Sequence, residues 1–255
     1  MRNVIYKKTG RIAYITLNRP EKLNALTMEM IDELEKIWED FKKDDKCWVA
    51  ILSGLGKAFC AGAAIEQLPK GKWSISQSIT VGDRTVGPGK HNIWKPVIAA
   101  LHGYAFGGGL WIALECDLRL AAENALFSLP EPKIGIPTSF AAFLPNFVPP
   151  AVATELLLVG ERIDAQRAYQ LGIVNKVVPS DNLLKEATSL AERICQNAPL
   201  AVRAMKEVLI RARNANYRKT LHLTQEVFAK VYESKDVNEG KKAFKDKRRP
   251  EWKCK

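Results

Sequence analysis

Three features of the chain predict an α/β layer structure. Short apolar, β-favouring runs alternate with amphipathic helical stretches through most of the first 180 residues. Two of these runs end in small-residue loops, Lys57–Ile65 and Gly103–Gly109, and each loop leads into a helical segment. Beyond about residue 180 the chain reads as helix after helix.

The elements follow in order. Asn3–Lys7 and Arg11–Leu17 read as strands around a Thr9-Gly10 turn, a hairpin signal. Thr27–Lys43 reads as a helix, with Met28, Ile31, Leu34, Trp38 and Phe41 at helical spacing and Glu and Lys between them. Trp48–Ser53, Val97–Leu101 and Asp117–Ala121 read as strands, and Leu110–Glu115 as a helix. From Glu66 to Asn92 the pattern breaks into a Gly-, Ser-, Lys- and Thr-rich stretch ending near Gly87-Pro88-Gly89. Loops of this length are usually functional or disordered. Leu183–Gln196, Pro199–Ala212, Tyr217–Glu233 and Val237–Lys245 complete the helical region, and Pro199 suits a first helical turn. There is no internal repeat and no flexible linker.

Composition narrows the function classes. A length of 255 residues suits one sizeable domain with a small appendage. The apolar fraction, 47%, is ordinary for a soluble globular protein. No apolar run approaches the roughly 18 residues of a membrane span, and the first residues lack a signal-peptide core. A cytoplasmic protein is expected. Cysteines at 47, 60, 116, 195 and 254 form no C-x-x-C pair, which points to reduced thiols rather than zinc or disulfides. His91, His102 and His222 show no metal-ligand spacing, and His102, after a strand, reads as a histidine satisfied by packing and backbone contacts. Neither a Walker A motif nor G-x-G-x-x-G occurs, so nucleotide hydrolysis and nicotinamide chemistry have no support. The net charge is +11, with eight Lys or Arg against two acids from Lys241 to Lys255. Such a run is a solvated face or a contact for phosphates.

The two small-residue loops carry the chemistry. Strand, tight loop and helix N-terminus present unpaired backbone N–H groups, and glycines let a ligand approach them. Two such loops can aim two donors at one oxygen, which is an oxyanion hole. The alternative is that the glycines only permit close helix–sheet packing. A third segment, Phe127–Pro137, places Glu131 in an apolar, proline-stiffened loop. A carboxylate there can have a raised pKa and serve as acid or base.

These three segments, in this order, resemble the crotonase (enoyl-CoA hydratase/isomerase) family. The likeness extends to Leu17–Leu26, Cys116-Asp117, Ala168–Asn175 and Glu239–Phe244, nearly the whole chain. It implies a β-β-α spiral core over residues 1–195, with the CoA and acyl sites. It also implies a helical C-terminal region over 196–255 that mediates trimerisation, often as a dimer of trimers, and contacts CoA. The backbone N–H groups of Ala63 and Gly108 would form the oxyanion hole for a thioester, and Glu131 would be the acid/base. Lys22 and Leu23 on the first loop, and Ala61, Ala64 and Ile65 around the adenine, would bind CoA. Phe244 would pack near the adenine and Lys247 would reach the phosphates, across a subunit boundary. Coenzyme A belongs to the substrate, and no separate cofactor is expected.

Two positions depart from the family pattern. Hydratases of the family usually carry a second glutamate on the helix after the triple glycine, and this chain has Trp111 there. Glu115, one turn on, is either a substitute or a structural carboxylate. Ala64 stands where many relatives have aspartate, which leaves the backbone donor of Ala63 intact. Three functions follow: hydration or dehydration of an unsaturated acyl-CoA, a cyclic acyl group among the candidates; double-bond isomerisation with one glutamate in a dry pocket walled by Trp111; and an RNA-binding or scaffolding role on the same fold. Trp94, Phe106, Trp111 and Phe140 could line a flat acyl pocket or could be core residues.

Overall fold

The computed structural model describes residues 2–64, 87–135, 138–212 and 217–255. Strands β1 (Val4–Thr9) and β2 (Ile12–Leu17) form the expected hairpin and pair antiparallel. Helix α1 (Met28–Lys43) starts at Thr27, whose side chain accepts a hydrogen bond from the Met30 N–H at 3.3 Å. This cap satisfies one of the free N–H groups of the first turn. Met30, Ile31, Leu34, Trp38 and Phe41 form the buried face of the helix.

The long sheet continues with β3 (Val49–Gly54) and β4 (Val97–Leu101). The chain then makes a short strand, β5 (Tyr104–Phe106), and helix α2 (Gly108–Glu115). The pattern repeats with β6 (Leu118–Ala122) and β7 (Leu126–Ser128), followed by 3-10 turns and helix α3 (Pro150–Val159). Strand β8 (Ile163–Asp164), helix α4 (Ala165–Gln170) and strand β9 (Lys176–Val178) close the core. The described strands form a six-stranded sheet, β1-β2-β3-β4-β6-β9, and a three-stranded sheet, β5-β7-β8. The turns β4-β5-α2 and β6-β7-α3 thus each give one strand to each sheet and then a helix.

Both faces of the long sheet are covered at its centre, so Val49–Leu52 of β3 and all of β4 are apolar and buried at successive positions. Ala13, Ile15, Ala50, Leu52 and Ala99 face the core that contains α1. Ile12, Val49, Ile51, Ile98 and Leu120 face helix α5 (Leu183–Cys195) through Leu183, Ala187 and Ala191. Helices α6 (Pro199–Arg211), α7 (Tyr217–Tyr232) and α8 (Lys235–Lys245) follow. Helix α6 docks through the buried Lys206, whose ammonium donates to the Lys95 carbonyl at 2.8 Å and pairs with Asp117 at 2.7 Å. The same Asp117 oxygen accepts from the Val97 N–H at 2.7 Å, so the Cys116-Asp117 motif ties the start of β4 to the helical region. The terminal segment is held by the buried Asp236, which accepts from the N–H groups of Lys253 and Cys254. No helix among the described residues is long and apolar enough to cross a membrane.

Sheet order brings the three sequence loops together. Strands β3, β4 and β6 are adjacent and parallel, so their C-terminal ends lie on one edge. The loop after β3 carries Ala63, the segment after β4 carries Gly108, and the segment after β6 and β7 carries Glu131. Ligands of open parallel sheets gather at this edge.

Candidate active site

The loop after β3 is stitched to the loop before α1. The Ala61 N–H donates to the Leu23 carbonyl at 3.0 Å, Leu26 to Gly62 at 2.8 Å, and Ala64 to Leu26 at 2.8 Å. Asn24, fully buried and left-handed at φ 55°, pins both loops. Its side-chain oxygen accepts from the Arg19 N–H at 2.8 Å, and its amide donates to the carbonyls of Leu55 (2.9 Å) and Ala58 (2.7 Å). Asn24→Ala would leave these buried groups unpaired, at about 1–3 kcal/mol each before relaxation. We expect a fall in Tm of several degrees together with reduced turnover, read by thermal unfolding and initial rates. A Tm within ~2 °C of wild type would contradict this role for Asn24.

The pairing leaves the Ala63 N–H pointing out of the stitched loops. Among the described residues it donates to nothing, and Ala63 is exposed. Gly108 is the first residue of α2, where no intrahelical partner exists, and its N–H likewise has no acceptor among the described residues. The two donors are close neighbours. A Cβ on Gly62 would stand 3.6 Å from the Gly108 nitrogen, and a Cβ on Gly108 would stand 3.9 Å from the Ala63 nitrogen. The dipole of α2 adds to the Gly108 donor.

Glu131 opens a 3-10 turn, Glu131–Ile134, stiffened by Pro130 and Pro132. Its carboxylate lies over Gly107: a Cβ there would be 2.5 Å from Glu131 Oε1. Gly107 has φ 51° and ψ −123°, a backbone region open essentially to glycine. Its N–H donates to the Ser128 carbonyl at 2.9 Å, which ties the start of α2 to the strand before Glu131. Glu131 Oε2 is buried without a hydrogen-bond partner among the described residues. Burial pushes the Glu131 pKa up, with only its own backbone N–H acting in the other direction. A carboxyl group with a raised pKa therefore sits one residue from an oxyanion-type donor.

Trp111 is buried. Its ring lies edge-on to Phe147 with centroids 5.5 Å apart, and tilted to Phe143 at 6.4 Å. Glu115 is mostly buried, and its Oε2 has no partner among the described residues. Desolvation pushes its pKa up to about 7, against hydrogen bonds from the Gly89 backbone, the Trp111 side chain and the Gly87 backbone. Eight residues of helix, ~12 Å of rise, separate positions 107 and 115, with Trp111 midway between them.

The other expected site residues divide into two groups. Leu23, Ala61 and Ala64 are brought together by the loop stitching, with Lys22 exposed beside them. Ile65 and the side chain of Phe140 lie outside the described residues. Phe244 is 89% exposed and Lys247 is exposed at φ 51°, so neither is packed by the chain's own core. Arg248 pairs with Glu239 at 2.7 Å. Phe106 stacks near Tyr104 (5.0 Å) beneath the Arg162 guanidinium. His102 engages the Gly56 carbonyl at 3.0 Å, as its packing reading expected. Burial pushes the Cys60 thiol up to about 12, which removes it as a nucleophile. Among the described residues no cluster is placed to hold a metal ion.

Three residues carry more of the site than their sequence context announced: Asn24, Phe143 and Phe147. Asn in a turn next to Gly-like backbone geometry was the available signal for the first. The two phenylalanines lie in a Pro-rich stretch with no periodicity to read.

Comparison with known proteins gives the family of the chain. The family model for enoyl-CoA hydratase/isomerase matches residues 7–255, and the chain belongs to that family. It is 37% identical over 253 residues to (E)-benzylidenesuccinyl-CoA hydratase of Thauera aromatica, covering 97% of each chain. It is 38% identical over 263 residues to carnitinyl-CoA dehydratase of Citrobacter koseri, again covering 97% of each. Among solved structures, an enoyl-CoA hydratase from Mycobacterium marinum superimposes with a TM-score of 0.92 at 33% identity over 100% of both chains. The fold is the crotonase spiral with its helical C-terminal region.

Proposed function

We propose that this chain is an acyl-CoA lyase that adds water to, or removes it from, an α,β-unsaturated thioester, with Glu131 as the acid/base. The observation that carries this reading is the Glu131 carboxyl, buried and unpartnered at Oε2, over the glycine that precedes Gly108. The relatives named as a hydratase and a dehydratase support the reaction type.

The chemistry follows from the geometry. The thioester oxygen accepts from the Ala63 and Gly108 N–H groups, which draws electron density off the β-carbon. Glu131 takes a proton from water as its oxygen bonds to the β-carbon, and the enolate charge collects on the held oxygen. The protonated Glu131 then returns the proton to the α-carbon, so one carboxyl completes the addition and ends as it began. An oxyanion donor of this kind is typically worth ~3 kcal/mol of barrier. The reaction is redox-neutral and needs no cofactor beyond the CoA carried by the substrate.

For CoA, the exposed Lys22 and the Leu23, Ala61 and Ala64 loops form the near contact. Phe244 and Lys247 serve across a subunit boundary, which accounts for an 89% exposed phenylalanine. Met205, Leu209, Leu221 and Tyr232 also expose apolar surface on the C-terminal helices, consistent with a trimer or a dimer of trimers. Five free cysteines suit a reducing, cytoplasmic setting.

A second reading rests on Trp111. With an indole where a second glutamate usually stands, Glu131 alone could shuttle a proton between two carbons, giving an isomerase. An RNA-binding role has no such site-specific observation behind it. Incubation with a panel of 2- and 3-enoyl-CoA thioesters, followed by mass spectrometry, separates the first two. A mass gain of one water is the expected result. Unchanged mass with altered retention would replace the lyase assignment by the isomerase.

A further inference from the structure

Arg119, the second residue of β6, ties the helix that carries the Gly108 donor to the long sheet. Its strand lies inside that sheet, between β4 and β9. Its backbone is fixed on both sides. Ala99 of β4 is its partner in register, its N–H donates to the Asn175 side-chain oxygen at 2.8 Å, and its carbonyl accepts from the Asn175 N–H at 2.8 Å. From this platform the guanidinium reaches the end of α2. Nη1 donates to the Cys116 carbonyl at 2.6 Å and more distantly to the carbonyls of Ala113 and Leu114, each at 3.4 Å. Nε donates to the Ile173 carbonyl at 2.5 Å, in the Ala168–Asn175 motif.

The last carbonyls of a helix have no partner within it. A cation placed there satisfies them and meets the negative end of the helix dipole. Helix α2 has particular need of such an anchor. It is eight residues long, its residues 109–114 are buried, and no side chain caps its N-terminus. Apolar packing is non-directional, so on its own it lets a short rod slide or tilt at small cost. A guanidinium fork of directional, charge-assisted hydrogen bonds does not. The other end of α2 runs close against the loop after β3. A Cβ on Gly109 would overlap the Cys60 carbonyl, and one on Gly108 would stand 3.9 Å from the Ala63 nitrogen. Strand β3 carries the Ala63 loop and β6 carries Arg119 in the same sheet. The guanidinium thus registers the Gly108 donor against the sheet that also places the Ala63 donor.

We propose that Arg119 is a positioning residue for the oxyanion hole. By holding the C-terminal carbonyls of α2, it sets the separation of the Gly108 and Ala63 N–H groups that an enolate oxygen requires. It acts through the helix and not on the substrate. A misplacement of about 1 Å at a reacting centre can cost ~10²-fold, so a small shift of α2 is enough to matter. Binding of a neutral thioester draws mainly on the CoA contacts and is little affected, whereas binding of a charged oxygen depends on both donors. This inference rests on reading Ala63 and Gly108 as the oxyanion donors, but not on which reaction they serve.

The test compares two ligands on the full chain at one pH. 3-Oxobutanoyl-CoA has an acidic α-proton, which it gives up to solvent when donors hold its thioester oxygen, and the conjugated enolate so formed has its own ultraviolet band. Butanoyl-CoA stays neutral. Wild type is expected to raise the enolate band on binding. Arg119→Gln removes the cation and the fork, and should weaken enolate binding at least ~tenfold, while the butanoyl-CoA Kd from calorimetry stays within about twofold of wild type. Arg119→Lys keeps the charge but replaces the planar fork by a point donor, and should weaken enolate binding about fivefold. It decides the matter if Arg119→Gln does not fold. Leu34→Ala, which opens a cavity in the core that contains α1, should lower Tm and change neither affinity. A folded Arg119→Gln or Arg119→Lys protein that binds the enolate within about twofold of wild type overturns the proposal. So do equal losses for both ligands, or a Leu34→Ala protein that loses the enolate as the Arg119 variants do, since lost stability alone would then account for the effect. A wild type that raises no enolate band overturns the reading of Ala63 and Gly108 as oxyanion donors, and the proposal with it.

Discussion

Glu131→Gln is expected to reduce turnover by about 10²–10⁴-fold, the usual contribution of a positioned acid/base, while leaving CoA thioester affinity close to wild type. The amide matches the carboxyl in shape, so the loop over Gly107 keeps its form, but it cannot accept the proton from water. The pH dependence should change as well. Burial raises the Glu131 pKa, so the acid limb of kcat/KM in the wild type should lie above the ordinary glutamate value of about 4.3. That limb should vanish in the variant. Stability should move the other way. A carboxyl whose folded pKa is raised binds its proton more tightly in the fold, so its ionisation weakens the fold. That penalty is absent below the unfolded pKa and complete above the folded one. The glutamine variant should therefore be at least as stable as wild type at pH 7, with the advantage shrinking toward pH 4. A variant that keeps more than about a tenth of wild-type activity, a loss under ~1.4 kcal/mol, would remove Glu131 as the principal acid/base.

Gly107→Ala should damage the site strongly. The new Cβ would meet Glu131 Oε1 at 2.5 Å, and the backbone at φ 51°, ψ −123° is strained for any L side chain. Strain of this kind costs about 1–3 kcal/mol. Relief requires displacing Glu131, shifting the start of α2, or both. Either movement separates the acid/base from the Gly108 donor, so activity should fall at least a hundredfold, by displacement rather than by loss of a functional group. Denaturant unfolding and kcat should both register the change. Wild-type activity in a normally stable Gly107→Ala protein would show that Glu131 is not held where the reaction needs it.

The sequence made the long elements readable and left the short ones hidden, for physical reasons. Helix α1 showed Ile31, Leu34, Trp38 and Phe41 at helical spacing, although Met28, read with them, is exposed and Met30 is buried instead; strands β3 and β4 showed as apolar runs. Strands β5, β7, β8 and β9 have three residues or fewer, too short for any period to emerge. Helix α3 is apolar nearly all round, PAVATELLLV, so it offered no amphipathic stripe. The chemical types in the site were legible because glycines before a helix and a carboxyl between prolines are local signals. What brought them together was not local: it is the adjacency of β3, β4 and β6 in one parallel sheet. That Glu115 and Trp111 share a helix face was legible from their i, i+4 spacing. The glycines that crowd the Glu115 carboxyl, Gly87 and Gly89, come from a part of the chain more than twenty residues away.

The central claim is that one thioester oxygen sits between the Ala63 and Gly108 N–H groups with Glu131 at its α- and β-carbons. A crystal structure of the protein with an unreactive acyl-CoA thioester tests it most directly. The expected result is a carbonyl oxygen about 2.7–3.1 Å from both nitrogens, with a Glu131 oxygen in van der Waals contact with the two carbons. A thioester bound with its carbonyl away from these donors, or with Glu131 turned from the acyl chain, would contradict the account.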